Sequence, residues 1–323
     1  MSGVEAPIGV VGAGAFGTAL AVALAGAGRR VVLWGRDEAA MAAAARHRRI
    51  ARLPDAELPE GVAPTADPAA LAACDPLLVA VPMQRLSEAL PPLGLSPRHA
   101  VAACKGIDAA SLRGPTAILA EAWPDATVAI LSGPSFAADI ARRLPTALTL
   151  ACADPDAAAR LQAALSTPAL RLYRSGDVAG VELGGALKNV VAIACGAAVG
   201  AGLGESARAA LMTRGMAEMM RLAPALGARP ETLMGLSGLG DLALTCASPA
   251  SRNYALGHAL GAGTSPPDAT VEGVATAGAA LRLAGRHGID LPVTRATAAL
   301  VEGRIGVEDA MRQLLGRELT EER

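Results

Sequence analysis

Lys188 lies in the run Glu182-Leu183-Gly184-Gly185-Ala186-Leu187-Lys188-Asn189-Val190-Val191, among small and apolar neighbours. Such company predicts partial burial. Burial lowers a lysine's pKa, which suits it to give and take a proton. A packed stem under a solvated head is the alternative. Lys105 follows the apolar run 100–104, and Gly133-Pro134-Ser135-Phe136-Ala137 follows the run 127–131. Both sit where ligands bind in an open parallel sheet, beyond the carboxyl ends of strands. Asp241 closes the stretch Gly235-Leu236-Ser237-Gly238-Leu239-Gly240. Three glycines there imply a close backbone approach with the acid held nearby. A helix N-cap, which Asp makes well, explains the same residue. Ser251-Arg252-Asn253 sets a hydroxyl, a guanidinium and an amide in a row. The guanidinium suits bidentate phosphate recognition, whereas Ser251 or Asn253 alone would cap a helix.

A second kind of chemistry is written near the start. Gly12-Ala13-Gly14-Ala15-Phe16-Gly17 follows the apolar run Ile8-Gly9-Val10-Val11 and opens a helical stretch at about 18–27. Glycine is needed there for a tight turn, for close approach of a pyrophosphate and for helix–sheet packing. The helix start then offers unpaired N–H groups to the phosphates. An ordinary tight turn would use the same residues, but the strand–turn–helix context favours a dinucleotide. The next strand ends Trp34-Gly35-Arg36-Asp37. An acid in this region reads the ribose 2′-OH of NAD, and an arginine suits the 2′-phosphate of NADP. Arg36 comes first, so NADP is favoured, with NAD left open by Asp37.

These residues need elements to hold them. Short apolar runs at 8–11, 31–34, 77–81, 100–104, 127–131, 147–152 and 170–173 alternate with helical stretches, one of them at 41–51. That alternation predicts an α/β domain with a Rossmann-like, mostly parallel sheet. Beyond Ser175-Gly176-Asp177 no period-2 pattern recurs. The rest is Ala-, Leu-, Met- and Gly-rich helix with breaks at 202–204, 227–230, 235–240 and 261–268. The expected division is a dinucleotide-binding domain over 1–176 and an all-α substrate and catalytic domain over 177–323.

Composition narrows the field. Of 323 residues 52% are apolar and 18% charged, which excludes a disordered chain. The net charge of −1 argues against a nucleic-acid or anionic-membrane partner, and 2% aromatics against a base-stacking surface. The basic cluster Arg46, Arg48, Arg49, Arg52 reads as a solvated face, near enough to the second strand to add positive field for NADP. No segment reads as membrane-spanning, and the start, Met1 to Pro7, lacks the features of a signal peptide. Five scattered cysteines and four scattered histidines form neither a disulfide framework nor a ligand set. A cytoplasmic protein without a metal is expected.

Taken in order, GAGAFGTALA, LWGRD, ACKGI, LSGPSFA, VELGGALKNVVAIACG, SGLGDLALTC, SRNYALG, and VEGV with IDLPV resemble the bacterial type of NAD(P)-dependent glycerol-3-phosphate dehydrogenase. The resemblance runs over 8–315. It implies a Rossmann-like domain followed by a helical one. It also implies interconversion of dihydroxyacetone phosphate and sn-glycerol 3-phosphate, supplying phospholipid synthesis. Lys188 falls on the proton donor/acceptor and Lys105 on a lysine touching both substrate and cofactor. Gly133, Ser135, Asp241, Ser251, Arg252 and Asn253 fall on substrate contacts, with Asp241 orienting Lys188 or the substrate hydroxyl and Arg252 reaching the dinucleotide. Gly12, Gly14, Ala15, Phe16, Gly17, Arg36, Ala137 and Glu272 fall on cofactor contacts. One departure is Asp139, where the family has Glu.

The implied chemistry is hydride transfer at the carbonyl carbon, with Lys188 moving the proton. Lys105 would stabilise the developing negative oxygen, and Arg252 and Asn253 would hold the phosphate. Two other readings keep part of the pattern. A β-hydroxyacid dehydrogenase pairs a similar fold and a lysine with a carboxylate substrate, and LGGALKN, GLGDL and SRN together speak against it. A non-catalytic NADP sensor would keep the glycines but has no use for Lys188, Asp241 and Arg252. A purely structural helical protein would need neither set. The small-residue helices of the second half offer a face for a homodimer.

Overall fold

A computed structural model describes residues 6–266 and 270–316. The start at 1–5 and the break at Asp268 lie outside these residues. The chain packs as two compact units. One comprises residues up to Lys105 together with Arg113–Glu182, and the other comprises Gly106–Leu112 and Leu183 onward.

The first unit is a sheet with helices on its faces. Its strands are β1 (Ile8–Val11), β2 (Val31–Trp34), β3 (Arg49–Ile50), β4 (Leu53–Glu57), β5 (Val62–Thr65), β6 (Leu77–Val79), β7 (His99–Ala102), β8 (Thr127–Ser132), β9 (Thr146–Cys152) and β10 (Leu170–Ser175). Its helices are α1 (Ala15–Ala25), α2 (Glu38–His47), α3 (Leu86–Ala89), α4 (Pro115–Ala122), α5 (Ala137–Ala141) and α6 (Pro155–Leu165). Eight strands pair in the order β10-β9-β8-β7-β6-β1-β2-β5. All neighbours are parallel except β8 and β9. The mostly parallel α/β sheet expected from the apolar runs is therefore present. Such runs suit strands buried on both faces, and Val10, Leu33, Val79 and Val101 are fully buried. The order reverses at β1, between β2 and β6, which is where such sheets open a ligand crevice.

The helix expected at 41–51 is corrected. α2 ends at His47, Arg48 takes a left-handed conformation, and Arg49–Ile50 pairs with Leu53–Glu57 as an antiparallel hairpin. The sequence carries no glycine at that stop. The Arg48 side chain does the work, donating to the carbonyls of Leu58, Pro59 and Val62. Arg49 donates likewise to Pro54 O at 2.7 Å. Arg48 is thereby drawn half-buried into the hairpin, while Arg49 ties it from the exposed face.

From Leu183 onward the second unit is helical over the described residues. It takes most of α7 (Val178–Gly200), then α8 (Gly204–Leu222), α9 (Pro230–Leu233), α10 (Asp241–Cys246), α11 (Arg252–Ala262), α12 (Glu272–Arg286), α13 (Pro292–Val301) and α14 (Val307–Leu315). Asp177 starts α7 by accepting a bond from Gly180 N at 2.9 Å. A helix apolar on all sides belongs in a core. α7 is one: Val190, Ala192, Ile193 and Cys195 are fully buried. It is long and apolar enough to cross a membrane by composition, but here it is the central core helix. Glu218 anchors α13 from below. Its carboxylate accepts from Val293 N and from Thr294 N and Oγ1, closing orphan donors of that helix start.

Candidate active site

In the first unit the expected cofactor residues stand at the carboxyl ends of parallel strands. Gly12 follows β1 with φ 114°, a conformation that favours glycine. A Cβ on Gly17 would overlap the Gly12 carbonyl. Both glycines are thus required by the turn and by close helix–strand packing. A Cβ on Gly14 would meet no protein atom within 4 Å, so packing does not explain that glycine. α1 starts at Ala15 and Phe16 without a side-chain cap. Its first N–H groups therefore keep their capacity for an acceptor, as a dinucleotide phosphate would be. These residues fit an NAD(P) pyrophosphate.

At the end of β2 the structure separates two neighbours that the sequence left in competition. The Asp37 carboxylate is committed to α2, accepting from Ala40 N at 2.9 Å as an N-cap. Arg36 is exposed, and among the described residues it carries no hydrogen bond or ion pair. Beyond β7 and β8, Lys105 Nζ donates to Gly133 O at 3.1 Å and Ser135 Oγ donates to the same oxygen at 3.2 Å. Gly133, at φ 148°, packs against Leu148 of β9. Lys105, Gly133 and Ser135 are therefore one cluster. Ala137 opens α5 just after it. Asp139, the departure from the family pattern, pairs with Arg142 one turn on at 2.6 Å on the surface.

In the second unit the structure brings Lys188 to Asp241. Lys188 Nζ donates to Asp241 Oδ1 and to Thr245 Oγ1, both at 2.8 Å. Thr245 Oγ1 in turn lies 3.3 Å from Asp241 Oδ1. Lys188 is 7% exposed and Asp241 0%, so the charges are compensated inside the protein rather than by water. The snorkelling alternative for Lys188 is set aside by this burial. One residue beyond Thr245, Cys246 is held as a neutral thiol. Its hydrogen bond with Cys195 and then its burial push it well above the usual thiol range.

The glycines before Asp241 acquire a packing reason. A Cβ on Gly184 of α7 would stand 2.6 Å from Ser237 O, and one on Gly238 would overlap Leu233 O. What the glycine stretch approaches closely is therefore protein. Residues 236–240 form a wide π-type turn, and Asp241 is the first residue of α10 rather than its cap.

Ser251 caps α11 through Tyr254 N at 3.2 Å, Arg252 is exposed, and Asn253 is buried. Asn253 donates from Nδ2 to Asn189 Oδ1 at 2.9 Å and accepts from Gly273 N at 2.9 Å, beside Glu272 at the start of α12. Asn189 Nδ2 and Ser237 Oγ are buried without a partner. Thr245 and Asn189 escaped the sequence reading. Thr245 had a signal, its i+4 spacing from Asp241 on one helix face. Asn189 had only its place next to Lys188. Among the described residues no group of three His, Cys, Asp or Glu side chains is placed to hold a metal.

Two family models match the chain. One described as the N-terminus of NAD-dependent glycerol-3-phosphate dehydrogenase matches residues 7–158, and one described as its C-terminus matches 177–312. A glycerol-3-phosphate dehydrogenase [NAD(P)+] from Cereibacter sphaeroides is 57% identical over 318 residues, 98% of this chain and 100% of that protein. One from Roseobacter denitrificans is 55% identical over 98% of this chain and 99% of its own. The crystal structure of glycerol-3-phosphate dehydrogenase from Coxiella burnetii matches with a TM-score of 0.91 and 34% identity. That match covers 97% of this chain and 99% of the other.

Proposed function

The chain belongs to the NAD-dependent glycerol-3-phosphate dehydrogenase family, and from that membership we propose how its own residues carry the reaction. It is an oxidoreductase that interconverts dihydroxyacetone phosphate and glycerol 3-phosphate with NAD(P) as coenzyme. The observation that carries the assignment of roles is the buried Lys188–Asp241–Thr245 cluster.

The nicotinamide, when bound, supplies or takes up the hydride at the carbonyl carbon. Lys188 gives its proton to the oxygen that becomes the hydroxyl in reduction, and takes it back in oxidation. Asp241 and Thr245 fix the direction of Nζ, and Asp241 compensates its charge. Lys105 stabilises the negative oxygen and, with Gly133 and Ser135, seats the substrate. Arg252 takes the phosphate at the start of α11, aided by the second Nδ2 hydrogen of Asn253 and by Asn189 Nδ2. Ser251 shapes that helix start as its cap. Remote binding energy at the phosphate thus positions the reacting carbon.

Gly12, Gly14, Ala15, Phe16 and Gly17 hold the pyrophosphate, Arg36 the adenosine end, and Lys105, Ala137, Arg252 and Glu272 further parts of the cofactor. Commitment of Asp37 to its helix leaves Arg36 as the group that reads the ribose, which supports a preference for NADP. Residues 1–176 are the dinucleotide-binding domain and 177–323 the substrate and catalytic domain, with the described residues dividing at Glu182 and Gly106–Leu112 joining the second. The enzyme acts in the cytoplasm and supplies glycerol phosphate for phospholipid synthesis. The test is oxidation of NADPH and NADH by the purified protein with dihydroxyacetone phosphate. Faster turnover with NADPH is expected. Equal rates would remove the NADP preference, and turnover unaffected by loss of the Lys188 amine would remove the catalytic assignment.

A further inference from the structure

Four glycines on two helices hold together the two halves of the substrate-binding face in the second unit. A Cβ on Gly257 or Gly261 of α11 would overlap the carbonyl oxygens of Ile193 and Ala197 on α7. Reciprocally, a Cβ on Gly196 or Gly200 of α7 would overlap those of Tyr254 and His258 on α11. Backbone meets backbone along this line, the spacing at which Cα–H groups contact carbonyl oxygens. Glycine inside a helix is less favourable than alanine. Local helix formation therefore does not account for them, and the close approach does.

The line does not end with the glycines. Asn189 and Asn253 are 64 residues apart and hydrogen-bonded at 2.9 Å. Gly257 with Ile193, and Gly261 with Ala197, have the same separation. Positions 253, 257 and 261 are one turn apart on α11, as are 189, 193 and 197 on α7. Side chains four apart share a helix face. The amide pair is thus the first rung of a ladder whose next rungs are glycine against carbonyl. At that polar end sit Lys188 on one helix and Arg252 on the other, together with Asn189 Nδ2, a buried amide group without a partner.

We propose that Gly257 is a positioning residue: the glycine contact of α11 with α7 sets the separation at which Asn253 meets Asn189, and so places Arg252 for the substrate phosphate. This rests on the assignment of Arg252 and Asn253 to that phosphate. Lys188 is held independently by Asp241 and Thr245 on α10, so its proton chemistry does not depend on the ladder. A methyl group at 257 pushes α11 away, breaks the amide rung and weakens binding of the phosphate while leaving turnover of bound substrate.

The experiment is steady-state kinetics of Gly257→Ala beside Arg252→Ala, with Leu222→Ala in the core of α8 as a variant that lowers thermal stability away from the ladder. For Gly257→Ala the expected result is a KM for dihydroxyacetone phosphate raised about tenfold, with kcat within about threefold. Leu222→Ala should leave KM unchanged at a similar loss of Tm. If Gly257→Ala does not fold, Gly261→Ala, one turn further from the polar end, should show a smaller rise in KM. An unchanged KM in a folded glycine variant, with KM raised in Arg252→Ala, overturns the proposal and leaves the phosphate assignment standing. A fall in kcat at constant KM overturns it too. An unchanged KM in Arg252→Ala removes the phosphate assignment itself, and the proposal with it.

Discussion

Lys188 and Asp241 are 53 residues apart in sequence and 2.8 Å apart in space. Gly184 and Ser237, four residues before each, have the same separation and meet backbone to backbone. α7 and the turn into α10 therefore run in register, and the lack of a side chain at 184 brings the carboxylate within reach of the amine. The pair is buried, with Thr245 as its third member. Its two charged partners are expected to depend on each other.

Lys188→Ala removes the amine proposed to carry the proton. General acid–base catalysis contributes about 10²–10⁴-fold, so kcat should fall by that order. The substitution also leaves the Asp241 carboxylate buried alone, at a cost of about 3–5 kcal/mol. The double variant Lys188→Met with Asp241→Asn should recover much of that stability in thermal unfolding while remaining as inactive. Recovery of activity in the double variant would show that the loss came from misfolding rather than from the missing amine.

Thr245→Val removes one acceptor of the ammonium while keeping shape. A hydrogen bond to a charged group is worth about 1.5–3 kcal/mol, so kcat should fall about tenfold or more. Thr245→Ser keeps the hydroxyl and should restore most of it. Equal kinetics for the Val and Ser variants would show that the hydroxyl does not orient Lys188.

Arg36→Gln should lower kcat/KM for NADPH by about 10–100-fold, the worth of charge-assisted bonds to a phosphate. The value for NADH should change little. Asp37→Asn keeps an oxygen that accepts from Ala40 N, and should leave the ratio of the two cofactors nearly unchanged. A large shift in that ratio with Asp37→Asn would return the discrimination to the acid.

Burial pushes the Glu218 carboxyl above the usual carboxylate range, against the pull of its bonds with Val293 and Thr294 and of the nearby Arg221. A carboxyl whose pKa is raised on folding favours the folded state below its unfolded pKa, about 4.3. That contribution is lost as pH rises through the folded value. Glu218→Gln imitates the protonated group. Its Tm relative to the native protein should be near zero in acid and become more favourable as pH rises. A difference that does not vary with pH would mean that Glu218 does not titrate differently on folding.

The class of fold was legible because its signals are local. Strand, glycine turn and helix follow one another within residues 8–25, and small apolar runs mark the buried strands one by one. Other features were local in sequence but ambiguous. Residues 41–51 look helical throughout, yet the Arg48 side chain finds three carbonyls ten to fourteen residues away and the helix stops. The reversed β9 likewise has a run of apolar residues like any parallel strand, since composition reports burial and not direction.

The chain itself determined which residues carry reactive groups: the amines of Lys105 and Lys188, the acid of Asp241, the guanidinium of Arg252 and the glycine turn at 12–17. Tertiary structure decided their partners. That Asp37 serves a helix while its neighbour Arg36 stays exposed is decided by one hydrogen bond at a helix start. Lys188 faces Asp241 and Thr245, and Asn189 faces Asn253, along lines where backbones meet at Gly184 and Gly257, more than 50 residues from their contacts. Periodicity along a chain shows which face of an element is buried. It does not show what lies against that face, because loop closure over such distances costs nearly the same free energy for many competing pairings, and only the packing of the whole unit selects one.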